Sequence, residues 1–159
     1  MSLDSVRSWL TAHAPDLPLI ETAESTATVD TAAAALGVAP GRIAKTLAIR
    51  VNGEVLLVVS RGDARLDNAK SKAAFGGRPR MLDPAETLKV TGHQVGGVCP
   101  FGLASPLPIR CDVSLRAYET VFPAAGSLNS SVEVEPERLA AMIGADWVDV
   151  CRLPEEADG

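Results

Sequence analysis

One stretch, IAKTLAIRVNGEVLLVVS at residues 43–60, restricts the possible folds of this chain more than any other. Asn52-Gly53 divides it into two runs of β-favouring residues. This dipeptide is typical of a two-residue type I′ turn, whose central residues both need positive φ. Such a turn fixes the strand register, and the expected pairs are Val51 with Glu54, Ile49 with Leu56, Leu47 with Val58, and Lys45 with Ser60. The sequence therefore predicts a long antiparallel hairpin at the centre of the fold.

Lys45 has an unusual position on the first strand of this hairpin. Because side chains alternate between the two faces of a strand, it shares one face with Ile43, Leu47, Ile49 and Val51 and is the only charged residue among them. A strand lysine is commonly a solvated edge residue. Alternatively, the lysine lies at the rim of a cavity, where reduced solvation makes a positive charge useful. The pattern by itself leaves both interpretations open.

Composition favours a single domain, 1–159, without a metal or cofactor. The 159 residues are 47% hydrophobic but only 4% aromatic, so we expect a core of mostly Ala, Val and Leu. Three widely spaced cysteines indicate neither a disulfide framework nor a zinc site, and neither of the two histidines has a metal-ligand partner at helical spacing. No apolar run is long enough to span a membrane, and the first residues lack a signal-like pattern. We expect a cytoplasmic protein.

Positive charge is concentrated in one segment of an acidic chain. The net charge is −5, yet residues 42–80 contain nine basic and three acidic residues, which gives this segment +6 and the remainder −11. A basic segment in an acidic protein suits a polyanion such as a nucleic acid. Alternatively, these charges balance acidic residues elsewhere on a solvated surface. The candidate nucleic-acid contacts are Lys70, Lys72, Arg78 and Arg80.

The rest of the chain alternates between helical and extended patterns, which predicts an α+β protein without internal repeats. Apolar spacing, N-cap residues and glycine stops indicate five helices with short strands between them. The predicted helices cover residues 2–13, 31–36, 67–75, 84–91 and 136–143. The predicted strands outside the hairpin cover residues 17–21, 79–82, 107–113, 119–122, 131–134 and 147–150.

Two glycine-rich stretches are candidate binding loops. GGVCPFG at residues 96–102 has neither the spacing of a dinucleotide-binding loop nor the Lys-Ser/Thr ending of a Walker loop. Its bare backbone can present N–H and C=O groups to a small polar ligand. Cys99 within it is a candidate nucleophile only if a histidine acts as its base, and His93 is the nearest in sequence. The second stretch, at residues 124–131, is more typical of a plain turn.

Several motifs, in this order and spacing, resemble one known family. An alanine-rich helix ending in LGV is followed by IAKTL, a hairpin ending in VVS, RLDNAK, TGHQVGGVCPFG and AAGSLNSSVEVEPERL. Together they resemble the YbaK family, aminoacyl-tRNA deacylases related to the editing domain inserted into bacterial prolyl-tRNA synthetases. The resemblance covers about residues 23–150. It implies a mixed α/β fold with a curved, barrel-like sheet flanked by helices. It also implies hydrolysis of a wrong amino acid from a tRNA, often tRNA(Pro).

The resemblance further implies which residues form the site. The near-invariant lysine of the family corresponds to Lys45, and the catalytic glycine loop begins at Gly96 and Gly97. The expected substrate-binding residues are Thr26, Thr28, Ser60, Val98, Cys99, Pro100, Asp112 and Asn129. Thr26 and Thr28 precede a helix, so capping is the alternative role for both. YbaK itself commonly has serine where this chain has Cys99, which argues against Cys99 as a required nucleophile.

The implied chemistry is the attack of water on the carbonyl carbon of an aminoacyl ester. Backbone N–H groups of the glycine loop would stabilise the developing oxyanion, by about 3 kcal/mol per donor on the scale of known oxyanion holes. Lys45 would hold the phosphate or ribose of the terminal adenosine, or stabilise charge near the ester. A small, size-excluding pocket makes alanine, serine, threonine, cysteine and 2-aminobutyrate the candidate amino acids.

The expected partner is aminoacyl-tRNA, with tRNA(Pro) as the leading candidate and prolyl-tRNA synthetase as a second partner. The protein itself is expected to be a monomer or a weak homodimer. Two other classes of function remain open from the sequence. A tRNA- or nucleotide-binding module without catalysis would keep the basic segment but would not need Lys45 on an apolar face. A cysteine hydrolase would need a histidine within hydrogen-bond reach of Cys99.

Overall fold

The structure, a computed structural model, describes residues 2–154 and contains five α-helices and ten β-strands in that range. The helices are α1 (Ser2–His13), α2 (Val29–Leu36), α3 (Asn68–Phe75), α4 (Pro84–Thr91) and α5 (Pro136–Ile143). The strands are β1 (Ile20–Glu21), β2 (Ile43–Val51), β3 (Glu54–Arg61), β4 (Arg65–Leu66), β5 (Arg80–Met81), β6 (Ile109–Asp112), β7 (Phe122–Pro123), β8 (Ser130–Ser131), β9 (Asp146–Val148) and β10 (Cys151–Arg152). The predicted α+β class is confirmed.

The central hairpin forms in the predicted register. β2 and β3 pair antiparallel without interruption, with Val51 opposite Glu54 at the turn and Lys45 opposite Ser60 near the open end. Asn52 and Gly53 have φ angles of 52° and 82°, as a type I′ turn requires. The prediction succeeds here because the turn dipeptide and the two strands favour the same register.

The hairpin forms the middle of a mixed sheet whose strand order is β5-β2-β3-β6-β9. β7 pairs with the same edge of β2 as β5 does, because β3 occupies the other edge. β5 pairs at Ile49 and Arg50, whereas β7 runs parallel to β2 and pairs at Ile43 and Ala44. The sheet is open rather than barrel-like within residues 2–154, because β9 pairs only with β6 and does not reach β5.

Four helices have their predicted ends to within one residue, whereas α2 begins at Val29, two residues before the predicted start. Thr28 caps α2 in a capping box with Thr31, and Asp67 and Asp83 cap α3 and α4 by accepting a backbone N–H. Each of the helices α2 to α5 ends at a glycine in the left-handed conformation. Helix boundaries are therefore local properties of this sequence.

Several strands are shorter than the patterns predict. The segments 119–122 and 131–134 pair as strands only at Phe122–Pro123 and Ser130–Ser131, and an isolated bridge joins Val121 to Val134. Similarly, the segment 17–21 is a strand only at Ile20–Glu21. These segments are long enough for strands, but they meet their partners over one or two residues, which a local pattern does not reveal.

Both faces of the hairpin are covered. Ala44 and Ala48 of β2 belong to the main core, which contains residues of α1 and α5. Ile49 and Val51 point to the other face and belong to a second core with Val150. A sheet covered on both faces leaves its strand edges as the place for a site. Across the described chain, none of the helices has the length and apolar character needed to cross a membrane.

Candidate active site

A cavity of about 330 Å³ opens along the edge of β2 that β5 and β7 share. Its walls come from the residues before α2, from β2, from β5 and the start of α4, and from the loop after α4. Much of the lining is apolar, as Val29, Ile43, Leu47 and Phe122 illustrate. The structure brings part of the predicted site to this cavity, namely Thr26, Thr28, Lys45, Gly96 and Val98.

A gap in the sheet creates this cavity. β7 pairs with β2 as far as Ala44, and β5 begins to pair at Ile49, so the edge between them has no partner strand among the described residues. N–H and C=O groups of alternate residues point to opposite edges of a strand. The C=O of Ala48 accepts a hydrogen bond from Leu82 on the β5 side. Thr46, two residues earlier, therefore presents its N–H and C=O to the gap.

Two threonine hydroxyls at the cavity are unpaired. The Oγ1 atoms of Thr26 and Thr46 are buried, and neither makes a hydrogen bond within the described chain. A buried hydroxyl without a partner costs about 1–3 kcal/mol, so a polar ligand would stabilise both. Thr28 also lines the cavity, but its hydroxyl caps α2, so both predicted roles apply to it. Thr46 was missed by sequence reasoning because alternation places it on the face opposite Lys45.

Lys45 is the one titratable side chain among the described residues that line the cavity. It is half-buried, and loss of solvation lowers the pKa of its ammonium group. Its Nζ donates a hydrogen bond to the backbone O of Ala64, and nearby Asp63 raises its pKa while Arg65 lowers it. Lys45 therefore lies at a cavity and not on a solvated edge.

The turn at Gly96 forms one wall of the cavity. Gly96 has a φ of 101°, a conformation that residues with a side chain rarely adopt. The N–H of Gly97 donates to the O of Gln94 at 2.9 Å, so it belongs to the turn itself, and Gly97 does not line the cavity. The N–H groups of Gly96 and Val98 have no hydrogen-bond acceptor in the part of the chain that is described. They are the donors that this turn can offer to a ligand.

Cys99 is buried and does not line the cavity. Burial raises the pKa of its thiol to about 12. His93 Nε2 lies 3.5 Å from Cys99 Sγ, but the same nitrogen lies 2.7 Å from the backbone O of Phe101, which can only accept. Nε2 therefore carries the proton and cannot act as a base toward the thiol. This geometry argues against Cys99-dependent hydrolysis, although a histidine is within reach.

Four other predicted residues lie away from the cavity: Ser60, Pro100, Asp112 and Asn129. Ser60 and Pro100 are buried. The Asp112 carboxylate accepts the backbone N–H groups of Ser114 at 3.0 Å and Val150 at 2.8 Å. The Asn129 side-chain amide donates to the backbone O of Thr22 at 2.9 Å. Asp112 and Asn129 thus join segments of the chain that are distant in sequence.

The candidate tRNA contacts lie on α3 and on the segment that leads into β5. Lys72, Arg78 and Arg80 are exposed. The Lys70 ammonium, in contrast, lies 3.2 Å from the carboxylate of Asp149. Arg80 is adjacent in β5 to a residue that lines the cavity. Of these exposed basic residues, Arg80 is therefore the one shown to lie beside the cavity.

The chemistry available at the cavity follows from this lining. It offers one cation, two unpaired hydroxyls, main-chain groups at the gap and N–H donors at the turn, and it includes no carboxylate or imidazole among the described residues. Between positions 2 and 154, no group of three or more His, Cys, Asp or Glu residues is arranged to hold a metal ion. Such a site can bind a small polar group and stabilise negative charge on it, but it supplies no side-chain carboxylate or imidazole base.

Comparisons with known proteins agree with this description. Residues 23–142 match the family model of the aminoacyl-tRNA editing domain. The chain is 47% identical to the Bacillus subtilis protein YwhH, over 96% of this chain and 98% of that protein. It is 27% identical to the Enterococcus faecalis protein EbsC, a candidate Cys-tRNA(Pro)/Cys-tRNA(Cys) deacylase, over 76% and 75% of the two chains. A crystal structure of a candidate trans-editing enzyme for prolyl-tRNA synthetase has a TM-score of 0.87 and 32% identity, and covers 95% of this chain and 97% of the other.

Proposed function

The chain belongs to the aminoacyl-tRNA editing domain family, and on that premise we propose that it hydrolyses the ester bond of mischarged aminoacyl-tRNA. Its proposed substrate is tRNA(Pro) that carries a small non-cognate amino acid. The observation that carries the proposal is the meeting of Lys45, two unpaired threonine hydroxyls and the Gly96 turn around one small cavity. Two of the relatives support the choice of tRNA, because their names refer to Cys-tRNA(Pro) and to prolyl-tRNA synthetase.

The size of the cavity supports a small amino acid. Its volume of about 330 Å³ is at the lower end of the range of about 300–1,000 Å³ for ligand cavities. Alanine, serine, threonine, cysteine and 2-aminobutyrate are the candidate amino acids. The hydroxyls of Thr26 and Thr46 can bind the amino group or a polar side chain, and either contact would satisfy a buried group that is otherwise unpaired.

The proposed reaction is the attack of water on the ester carbonyl carbon. The N–H groups of Gly96 and Val98 stabilise the oxyanion that forms, and Gly97 holds the turn that aims them. Lys45 stabilises negative charge on the substrate. The bond from the carbonyl carbon to the ribose oxygen then breaks, and the proton from water passes to that oxygen. Because the described lining offers no carboxylate or imidazole, a hydroxyl of the substrate's own ribose relays this proton.

A deacylation panel tests the proposal. One tRNA(Pro) is charged in turn with alanine, serine, threonine, cysteine, 2-aminobutyrate and proline, and the loss of each ester is measured with and without the protein. We expect hydrolysis of at least one small non-cognate ester and none of the prolyl ester. A protein that binds these tRNAs but leaves every ester intact would be a binding module, and the proposed activity would be wrong.

A further inference from the structure

The two glycine-rich turns pack directly against each other. A Cβ added to Gly97 would lie 3.1 Å from the backbone of Gly126 and Ser127. A Cβ at Gly96 would lie 2.9 Å from the end of the exposed Leu128 side chain and 3.1 Å from the Ala27 Cβ. The cavity wall at Gly96 therefore rests on the turn at residues 126–129, and a shift of one turn requires a shift of the other.

The first turn of α1 lies behind both glycine-rich stretches. A Cβ on Gly126 would lie 2.9 Å from the backbone O of Ser2, and one on Gly102 would lie 2.7 Å from the backbone of Ser5. The Ser5 hydroxyl also donates to the O of Gly102 at 3.2 Å. α1 precedes the residues that the family model matches, yet its backbone is in close contact with the end of the loop that lines the cavity.

His93 forms hydrogen bonds to α1, to the end of α4 and to the far end of the glycine-rich loop. Its fully buried ring donates from Nε2 to the backbone O of Phe101 at 2.7 Å, and its Nδ1 accepts a hydrogen bond from the Ser2 hydroxyl. Its own N–H donates to Thr91 Oγ1 at 3.0 Å at the end of α4. The side chain at one end of the loop at residues 93–101 thus binds the main chain at the other end. This contact closes the loop that presents Gly96 to the cavity.

We propose that His93 is a positioning residue for the proposed deacylation, and that Ser2 of α1 acts through it. The neutral imidazole fixes the two ends of the loop relative to each other and to α1. The Gly96 and Val98 N–H groups are held in place as a result. His93 does not contact the cavity, so it acts on the geometry of the donors and not on the substrate itself. The inference rests on the proposed function, because it assigns His93 to the oxyanion donors of that reaction.

The size of the expected effect follows from the geometry that catalysis requires. A displacement of about 1 Å in a catalytic group costs about 100-fold in rate, even when its cause is remote from the reacting atoms. The candidate tRNA contacts on α3 and before β5 lie outside this loop, so we expect tRNA binding to be little affected. Loosening the loop therefore lowers kcat and leaves KM for charged tRNA nearly unchanged.

The test compares His93→Leu, His93→Gln and Ser2→Ala with a control, Leu139→Ala, which disturbs the fully buried core face of α5 away from the cavity. Amide hydrogen exchange of residues 94–101 is measured in the free protein, and kcat and KM are measured on charged tRNA. We expect His93→Leu to raise exchange in the loop and to lower kcat at least about tenfold with KM nearly unchanged. His93→Gln, which keeps an N–H donor, should recover part of both, and Ser2→Ala should have a smaller effect that disappears in the His93→Leu background.

The control separates positioning from general stability. If Leu139→Ala lowers thermal stability as much as His93→Leu but leaves loop exchange and kcat unchanged, the inference holds. Should His93→Leu fail to fold, Ser2→Ala and His93→Gln decide the question in the same two measurements. An unchanged loop exchange, or full turnover despite faster exchange, would overturn the assignment. A wild-type protein that deacylates nothing defeats the proposed function instead, and the exchange measurement tells the two failures apart because it needs no substrate.

Discussion

At the scale of single residues, Lys45 is a cation whose partial burial carries a desolvation penalty. Burial lowers the pKa of its ammonium group, so the charged form is less favoured at this site than in the unfolded chain. The folded protein therefore gains little stability from the charge, and its position is better explained by an interaction with the substrate.

We expect Lys45→Met to abolish deacylation without weakening the fold. Methionine keeps much of the length of the side chain and removes a half-buried charge, so the melting temperature should stay the same or rise. Turnover should fall by at least about 100-fold, the scale of losing a group that stabilises transition-state charge. Thermal unfolding and a deacylation assay measure the two effects. Near-wild-type turnover would contradict the assignment.

His93 should make stability depend on pH in the mildly acidic range. Burial lowers its pKa below the ordinary value of 6.5, so between these two values the unfolded chain binds a proton that the folded chain does not. Its contribution to stability is therefore complete above about pH 6.5 and is lost as the pH falls below that value. Cys99, the ionisable group that faces the ring, stays neutral because its pKa is raised to about 12.

Urea unfolding at about pH 7.5 and about pH 5.5 checks this expectation. On going from the higher to the lower pH, the wild type should lose more free energy of unfolding than His93→Gln does. The extra loss for one proton cannot exceed about 1.4 kcal/mol per pH unit. Equal losses in both proteins would show that another group titrates.

The sequence can indicate where a residue lies when the reason for its position is local. Lys45 stands out because alternation along one strand isolates it on an apolar face, and Gly96 because glycine-rich loops favour positive φ. The sequence does not single out Thr46, because its place at the cavity depends on the gap between β5 and β7 along the edge of β2. The interactions of Asp112 likewise depend on a tertiary contact, because the backbone N–H of Val150 comes from a distant part of the chain.

At the scale of elements, the turn at Gly96 differs from the other left-handed glycines because it borders the cavity. Gly144, at the end of α5, has a φ of 66° and no atom within 4 Å of an added Cβ. Gly96→Ala and Gly144→Ala should both introduce backbone strain of about 1–3 kcal/mol. Gly96→Ala in addition pushes against the Leu128 side chain, and only this variant disturbs the proposed donors.

We expect Gly96→Ala to lower turnover about tenfold or more, and Gly144→Ala to lower only the melting temperature. Both variants are assayed where each is fully folded. If the two lose equal turnover, or if the folded Gly96→Ala protein keeps full activity, the turn at Gly96 serves only the fold.

Elements differ in how far the sequence can predict them. The hairpin and the helices were predicted well because Asn52-Gly53, the N-cap residues and the terminal glycines act within a few residues of each other. The two-residue strands were not, since their extent is set by a partner that is distant in the chain. The open sheet has the same origin: closure depends on whether β9 and β5 meet, and neither strand encodes that.

At the scale of the whole molecule, Arg80 places one end of the basic segment beside the cavity, and we propose this segment as a docking face next to the chemical site. We expect Arg80→Ala to weaken binding of charged tRNA and to shallow its salt dependence by roughly one phosphate contact. Hydrolysis of an aminoacyl ester of adenosine alone should hardly change, because this small substrate does not reach Arg80. Arg138→Ala is the matched control, because Arg138 lies outside the segment and pairs with Asp16. If Arg80→Ala and Arg138→Ala weakened tRNA binding equally, the basic segment would not be a specific docking face.

Activity should also survive chelation. The described cavity lining contains none of the His, Cys, Asp or Glu side chains that commonly bind catalytic metals. Deacylation is measured before and after treatment with EDTA and then with added zinc. If EDTA abolished the activity and zinc restored it, a metal ion would take part in the reaction and this prediction would be wrong.

The gap in the sheet has a consequence for self-association. An unpaired strand edge normally invites a strand from another molecule, and long exposed edges lead to aggregation. Here the free stretch between β5 and β7 is short, and along it alternation directs to this edge only the main-chain groups of Thr46 and Ala48, of which the Ala48 O already accepts from Leu82. An incoming strand could form three hydrogen bonds at most, which is too few to start an intermolecular sheet. The main-chain groups of Thr46 are enough to bind a single aminoacyl unit. This edge can therefore bind a small ligand but cannot pair stably with a strand of another molecule.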